Sequence, residues 1–187
     1  MAREHLELNS FQKNYLDKVR QLEPSDPFLP WNNRIVIPGA GILAVGWTND
    51  NYILVISNDG YAVFDPINGT PKVEMNRLGT VYHLFAANNL SFEVPELNEV
   101  VYVFGIYGGD GNHVTSDGWG LELIYPAWPN SAVLLRKPSL SVHREVWEEV
   151  KIISLKRLEY IELKCGFSNN GKHFLIVGGG GIEIFSR

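Results

Sequence analysis

One cysteine, Cys165, is too few for an internal disulfide framework or a Cys-based zinc site. It lies in the alternating run IELKCGF, which predicts a buried, inert thiol rather than a nucleophile. No apolar run approaches the roughly 18 residues that a membrane span needs. The opening MAREHLELNSFQKN is polar and mixed in charge, unlike a secretory signal. Bases are also scarce in the middle of the chain. Between Pro38 and Pro126 only Lys72 and Arg77 oppose ten acids, namely Asp50, Asp59, Asp65, Glu74, Glu93, Glu96, Glu99, Asp110, Asp117 and Glu122, a net charge of −8. The first 37 residues balance at five each, and Ala127 to Arg187 carries nine bases against six acids. An acidic field repels nucleic acid and anionic membranes and attracts basic protein surfaces. The expectation is a cytoplasmic protein with no nucleic-acid or membrane partner.

What is present points to one domain over residues 1–187, with 45% hydrophobic residues to fill a core. Residues 1–23 should carry one amphipathic helix, because Phe11, Tyr15, Val19 and Leu22 fall on one stripe of a 3.6-residue period. Asn9 and Gln12 have the spacing of a capping box. Pro24 stops the helix, and residues 24–33 form a proline-rich connector. The remainder, 34–187, reads as a β body of short apolar runs broken by Gly, Asn, Asp and Pro.

Those runs fall into three groups. ILAVGW, YILVIS and YAVFD form the first, LSFEV, EVVYVFGIY and GLELIY the second, and YIELKCGF, HFLIVG and IEIF the third. Aligning the first with the third sets Gly46-Trp47-Thr48-Asn49 beside Gly166-Phe167-Ser168-Asn169, and Phe64 beside Phe185. The second keeps the strand order with its turn stretched into GGDGNHVTSDG, Gly108 to Gly118. The predicted fold is mainly β, with antiparallel sheets built from three similar hairpin units and one N-terminal helix. The stretch GFSNNGKHFLIVGGGGIEIFSR resembles a blade segment of WD-repeat and related β-propellers. That resemblance implies a propeller-like arrangement, and two packed antiparallel sheets satisfy the same pattern. From Arg144 to Leu163 the expectation is a turn of helix followed by a strand.

Chemistry is harder to find. The run Gly178 to Gly181 is followed by strand-like IEIF rather than a helix start, so it predicts a hairpin turn and not a phosphate loop. DGNHVTSDG offers Asp110, Asn112, His113 and Asp117, but Val114 and Ser116 hold later ligand positions of a calcium loop and no Glu closes it. His113 and Asp117 could serve a hydrolase only with a nucleophile brought from elsewhere. His5, His83, His143 and His173 show no metal-ligand spacing, and Glu148 and Glu149 are adjacent and point apart. No metal, cofactor or catalytic group is expected.

The acids in turns and the aromatics beside them carry the functional reading. Trp47, Trp119 and Trp128 stand next to turn residues, where core packing is the ordinary use of a tryptophan, and Tyr107 borders the long loop. The contact surface expected from these features comprises Asp50, Asp59, Tyr107, Asp110, Asn112, Asp117, Trp119 and Glu122. A small non-catalytic protein with an acidic face resembles, in type, the bacterial immunity proteins that neutralise basic nuclease toxins. The leading expectation is a protein-binding inhibitor of a basic partner, a toxin domain among the candidates. The alternatives are a scaffold module of a larger complex, and an enzyme using His113 and Asp117.

Overall fold

Runs rich in Val, Ile and Phe pair as strands because alternate side chains reach opposite faces of the pleat, while Asn, Asp and Gly supply the turns. The computed structural model describes residues 8–73, 81–127, 129–138, 147–159 and 162–187; Glu74, Arg77, Trp128, His5 and His143 lie outside them. The helix α1 (Ser10–Arg20) comes first. Then follow β1 (Asn33–Pro38), β2 (Ile42–Trp47), β3 (Ile53–Ser57), β4 (Gly60–Phe64), β5 (Pro71–Val73), β6 (Ser91–Val94) and β7 (Glu99–Gly105). β8 (Gly120–Ala127), β9 (Asn130–Arg136), β10 (Val150–Ile152), β11 (Lys164–Phe167), β12 (His173–Gly178) and β13 (Gly181–Ser186) complete the described strands.

Among the described residues the strand ladders are all antiparallel and make three sheets, with one isolated parallel bridge between Ser25 and Ile153. Sheet I runs β5-β4-β3-β2-β7-β6, sheet II runs β1-β13-β12-β11, and sheet III runs β10-β9-β8. The sheets stack through shared apolar faces. Val45, Ile53, Val55 and Phe104 of sheet I pack on Leu175, Val177, Ile182 and Ile184 of sheet II. The opposite face of sheet II presents Cys165, Phe167, Phe174, Ile176 and Phe185 to Leu121, Val133 and Leu135 of sheet III, with Trp31 of the connector buried between them. The outer side of sheet III, with Ile124, Ala132 and Leu134, takes Val19 and Tyr15 of α1. The far side of sheet I closes over its own core, where Val101 and Val103 of β7 meet Phe92 and Val94 of β6 and Leu54 and Ile56 of β3. The fold is therefore mainly β, as expected, with sheet-on-sheet packing used twice.

The helix forms as its sequence indicates. The Asn9 side chain accepts from the Gln12 amide at 2.9 Å, and the Gln12 side chain accepts from the Asn9 amide at 2.9 Å. Its stripe docks from the second turn onward: Val19 is fully buried, whereas Phe11 is 68% exposed and overhangs the body. Residues Trp147–Glu149 make a single helical turn that leads into β10, the order expected for that segment.

The grouping of strands differs from the sequence reading in one place. β6, β7 and β8 do not form a unit, since β7 pairs with β2 and β6 while β8 pairs with β9. β7 is apolar on both faces at its centre, with Val103 in one core and Phe104 in the other, which suits an interior strand of sheet I. The second unit begins inside the long loop, where Val114 bridges Gly120 and the Leu121 amide donates to the His113 carbonyl.

Candidate protein-interaction surface

Three equivalent turns come together at one end of the molecule. In the first, the Tyr52 amide donates to Thr48 Oγ1 and the Asn51 amide to the Thr48 carbonyl. The second repeats this with Trp119 and Gly118 on Thr115, and the third with His173 and Gly171 on Ser168. Each turn contains one residue of positive φ, namely Asn51 at 63°, Gly118 at 91° and Gly171 at 65°. Asn and Gly are the residues that tolerate that conformation. The turns also touch: the Asn170 amide donates to Asn51 Oδ1 at 3.0 Å, and Asn169 Nδ2 to the Thr48 carbonyl at 3.3 Å. Asp50 and Asp117 occupy matching positions in the first two turns, so the repeat itself brings them to one end.

The eight expected contact residues do not share a face, and each departure has a cause. Asp50 is exposed at the end just described. Asp117 is held there by Arg187 through two bonds, 2.5 and 2.8 Å, and that guanidinium keeps its carboxyl well below the usual carboxylate range. Trp119 is buried at 7% exposure, edge-on to Trp31, because the residue after the turn leads into the core of sheet III. Glu122 points toward α1, where it pairs with Arg136 and accepts from the Tyr15 hydroxyl at 2.9 Å. Burial first, then the Glu122 hydrogen bond, pushes the Tyr15 phenol up to about 12.

Asp110 and Asn112 lie along the side of the stack, on the strip that passes the edge of β11, where the Phe167 amide donates to the Asn112 carbonyl at 2.7 Å. The approach is close enough that a Cβ on Gly111 would sit 2.2 Å from the Cys165 carbonyl oxygen. Asp59 and Tyr107 lie at the opposite end from Asp50, because β3 and β7 carry the chain the length of sheet I. There the Tyr107 hydroxyl meets that of Tyr82 at 3.5 Å, and Tyr82 donates to Asn58 at 3.0 Å.

A thiol, an imidazole and a carboxylate converge where the strip passes β11, but not as a relay. His113 Nε2 lies 3.1 Å from Asp110 Oδ1 and 4.0 Å from Cys165 Sγ, so both partners compete for one ring nitrogen. A nucleophile relay needs them on opposite nitrogens. Burial pushes the Cys165 thiol up to about 12, leaving it protonated at neutral pH. Among the described residues no group of three His, Cys, Asp or Glu side chains is arranged to hold a metal ion. The fully buried Glu183 is structural. It accepts from the Lys156 and Arg157 amides at 2.6 and 2.9 Å and pairs with Arg34.

Most acids of the middle segment are thus engaged inside their own chain. Asp65 accepts from the Ile67 amide at 2.6 Å, Glu96 from the Tyr61 hydroxyl at 2.5 Å, and Glu99 from the Asn49 amide at 2.6 Å. Asp50, Asp59 and Glu93 are exposed and make no ion pair among the described residues. Glu93 belongs to a surface that the sequence reading missed. The register sets Glu93 opposite Val100 and Ser91 opposite Tyr102, so these four share the outer side of β6–β7. Phe104, next on that side, is buried under sheet II, while Tyr102 is 54% and Val100 67% exposed because sheet II stops short of them. The signal was the alternation in SFEV and VVYVF, whose second apolar set has no core left to enter. The Glu99–Asn49 bond, made from the other side of the strand, places the start of β7 next to the turn that carries Asp50.

Compared with known proteins, the chain matches no family model, no curated protein and no solved structure.

Proposed function

We propose that the protein is a non-catalytic binding protein that captures a basic partner protein and inhibits it, in the manner of immunity proteins that neutralise basic nuclease toxins. The carrying observation is the outer side of β6–β7, where exposed Val100 and Tyr102 stand beside Glu93, an exposed carboxylate that makes no ion pair among the described residues. Apolar and aromatic anchors rimmed by charge are how tight protein interfaces are built, and unpaired acids speed encounter with a basic surface. The β6–β7 pair is held from behind by its own core, with Phe92, Val94, Val101 and Val103 buried on the opposite face, so the surface is organised before a partner arrives.

The test is binding and inhibition of basic nuclease domains, beginning with any encoded beside this chain's gene, measured by calorimetry and by nuclease assay at low and high salt. The expected result is a complex that weakens as salt rises, with nuclease activity suppressed. Absence of binding, or binding with undiminished nuclease activity, would overturn the inhibitor reading. A scaffold role is the second reading, favoured by the separate Tyr82–Tyr107 cluster at the other end. Under it Tyr82→Ala would abolish binding of a second partner and leave the first untouched.

A further inference from the structure

Three of the five described arginines share one setting, whereas Arg20 pairs with Asp17 on the surface of its helix. Arg34 lies 5.0 Å from the Phe185 ring centroid and pairs with Glu183. Arg136 lies 6.0 Å from Tyr15 and pairs with Glu122. Arg187 lies 4.7 Å from Trp31 and pairs with Asp117. Each guanidinium combines an aromatic ring with a carboxylate, bidentate at Arg187 and through Nη2 at Arg34 and Arg136; Lys18, Lys72, Lys137 and Lys151 also lie over rings but make no ion pair among the described residues.

The outer side of β6–β7 offers the same pair without the cation. Tyr102 and Glu93 are diagonal neighbours on one face of an antiparallel ladder, which sets the two residues about 7–8 Å apart, with their Cβ atoms somewhat closer. A guanidinium laid on the Tyr102 ring can reach the Glu93 carboxylate from that distance. Both side chains are exposed, and Glu93 makes no ion pair among the described residues. Val100, directly opposite Glu93, adds an apolar floor for the methylene stem of a long side chain.

We infer that Tyr102 and Glu93 form a receptor for an arginine side chain of the partner, with Val100 supporting its stem. The inference rests on the basic-partner reading above and narrows it: the anchor is arginine, and lysine does not replace it. The probes are a short peptide alternating arginine with valine and its lysine counterpart, titrated into the full chain while the Val100 methyl resonances are followed by NMR. The arginine peptide is expected to bind about fivefold tighter, the ratio that about 1 kcal/mol of cation–π and bidentate preference gives. Tyr102→Leu should remove that ratio, Glu93→Gln should weaken the arginine peptide more than the lysine peptide, and Tyr125→Leu, on another surface, should leave the ratio unchanged. Equal affinities for the two peptides, both lowered by Glu93→Gln, would overturn the arginine inference and leave the basic-partner reading intact. Binding unaffected by Glu93→Gln and Tyr102→Leu, or no binding of either peptide, would overturn the inference. The nuclease titration then decides the broader reading separately.

Discussion

Glu183 shows how a residue that looks ordinary in sequence governs the interior. It sits in GIEIF as one polar position of an alternating strand, yet it is fully buried and ties the loop at Lys156 and Arg157 to Arg34. Removing one partner of a buried pair strands the other charge, which costs about 3–5 kcal/mol. Glu183→Ala is therefore expected to lower unfolding free energy by that amount in urea titrations, a large share of the stability of a domain this size. A loss under about 1 kcal/mol would show that Arg34 finds water instead. His173 makes a second residue-scale test. It is stacked on Trp47, with Nδ1 2.7 Å from Ser186 Oγ, and it faces Asp65 and Lys172. Burial lowers its pKa from 6.5, the effect of Asp65 opposing and that of Lys172 adding. A base whose folded pKa is depressed leaves the folded state binding fewer protons than the unfolded one. Its contribution is intact above about pH 6.5 and is lost as pH falls below that value, at up to about 1.4 kcal/mol per pH unit. Urea titrations at pH 7.5 and pH 5.5 should show this loss, and His173→Gln should reduce it. An equal loss in the variant would assign the acid sensitivity to other groups.

At the scale of elements, the repeat is a turn before it is a hairpin. Thr48, Thr115 and Ser168 each use a hydroxyl to accept the amide that opens the next strand, and all three are buried. Leaving that amide unsatisfied costs about 1–3 kcal/mol. Thr48→Val, Thr115→Val and Ser168→Ala should each destabilise the fold within that range and by similar amounts, read from denaturant midpoints. A neutral result at Thr115 would mean that the second turn is not equivalent to the others. The first and third units were legible from sequence because Gly-Trp-Thr-Asn and Gly-Phe-Ser-Asn precede long uninterrupted strands. The second was hidden because its first strand shrinks to a bridge at Val114, so Thr115-Ser116-Asp117-Gly118 read as loop and the strands β6 and β7 filled the gap in the pattern. The capping box and helix stripe were also readable, since both depend on neighbours within one or two turns. Partner choice between strands was not, because β7 carries apolar residues on both faces and no local rule says which neighbour covers which.

For the whole molecule, the acidic middle is a fact of sequence that the fold largely spends on itself. Long-range partners decide this: Arg136 and Arg187, both from the basic final third, come back to Glu122 and Asp117 across many intervening residues. Counting charge along the chain could not foresee those pairings, whereas the exposure of Glu93 follows from its place in an alternating strand. Among the described residues, the exposed acids that make no ion pair divide between two ends, with Asp50 in the turn beside the start of β7 and Asp59 at the end that carries Tyr107. The proposed function therefore rests on one patch rather than on total charge. The most direct test is the affinity of the intact protein for a basic nuclease domain, compared with that of the Glu93→Gln, Tyr102→Ala double variant. The double variant should bind about tenfold or more weakly, equivalent to about 1.4 kcal/mol, and should lose salt dependence while its unfolding midpoint stays unchanged. Unchanged affinity in a folded double variant would contradict the assignment of this face.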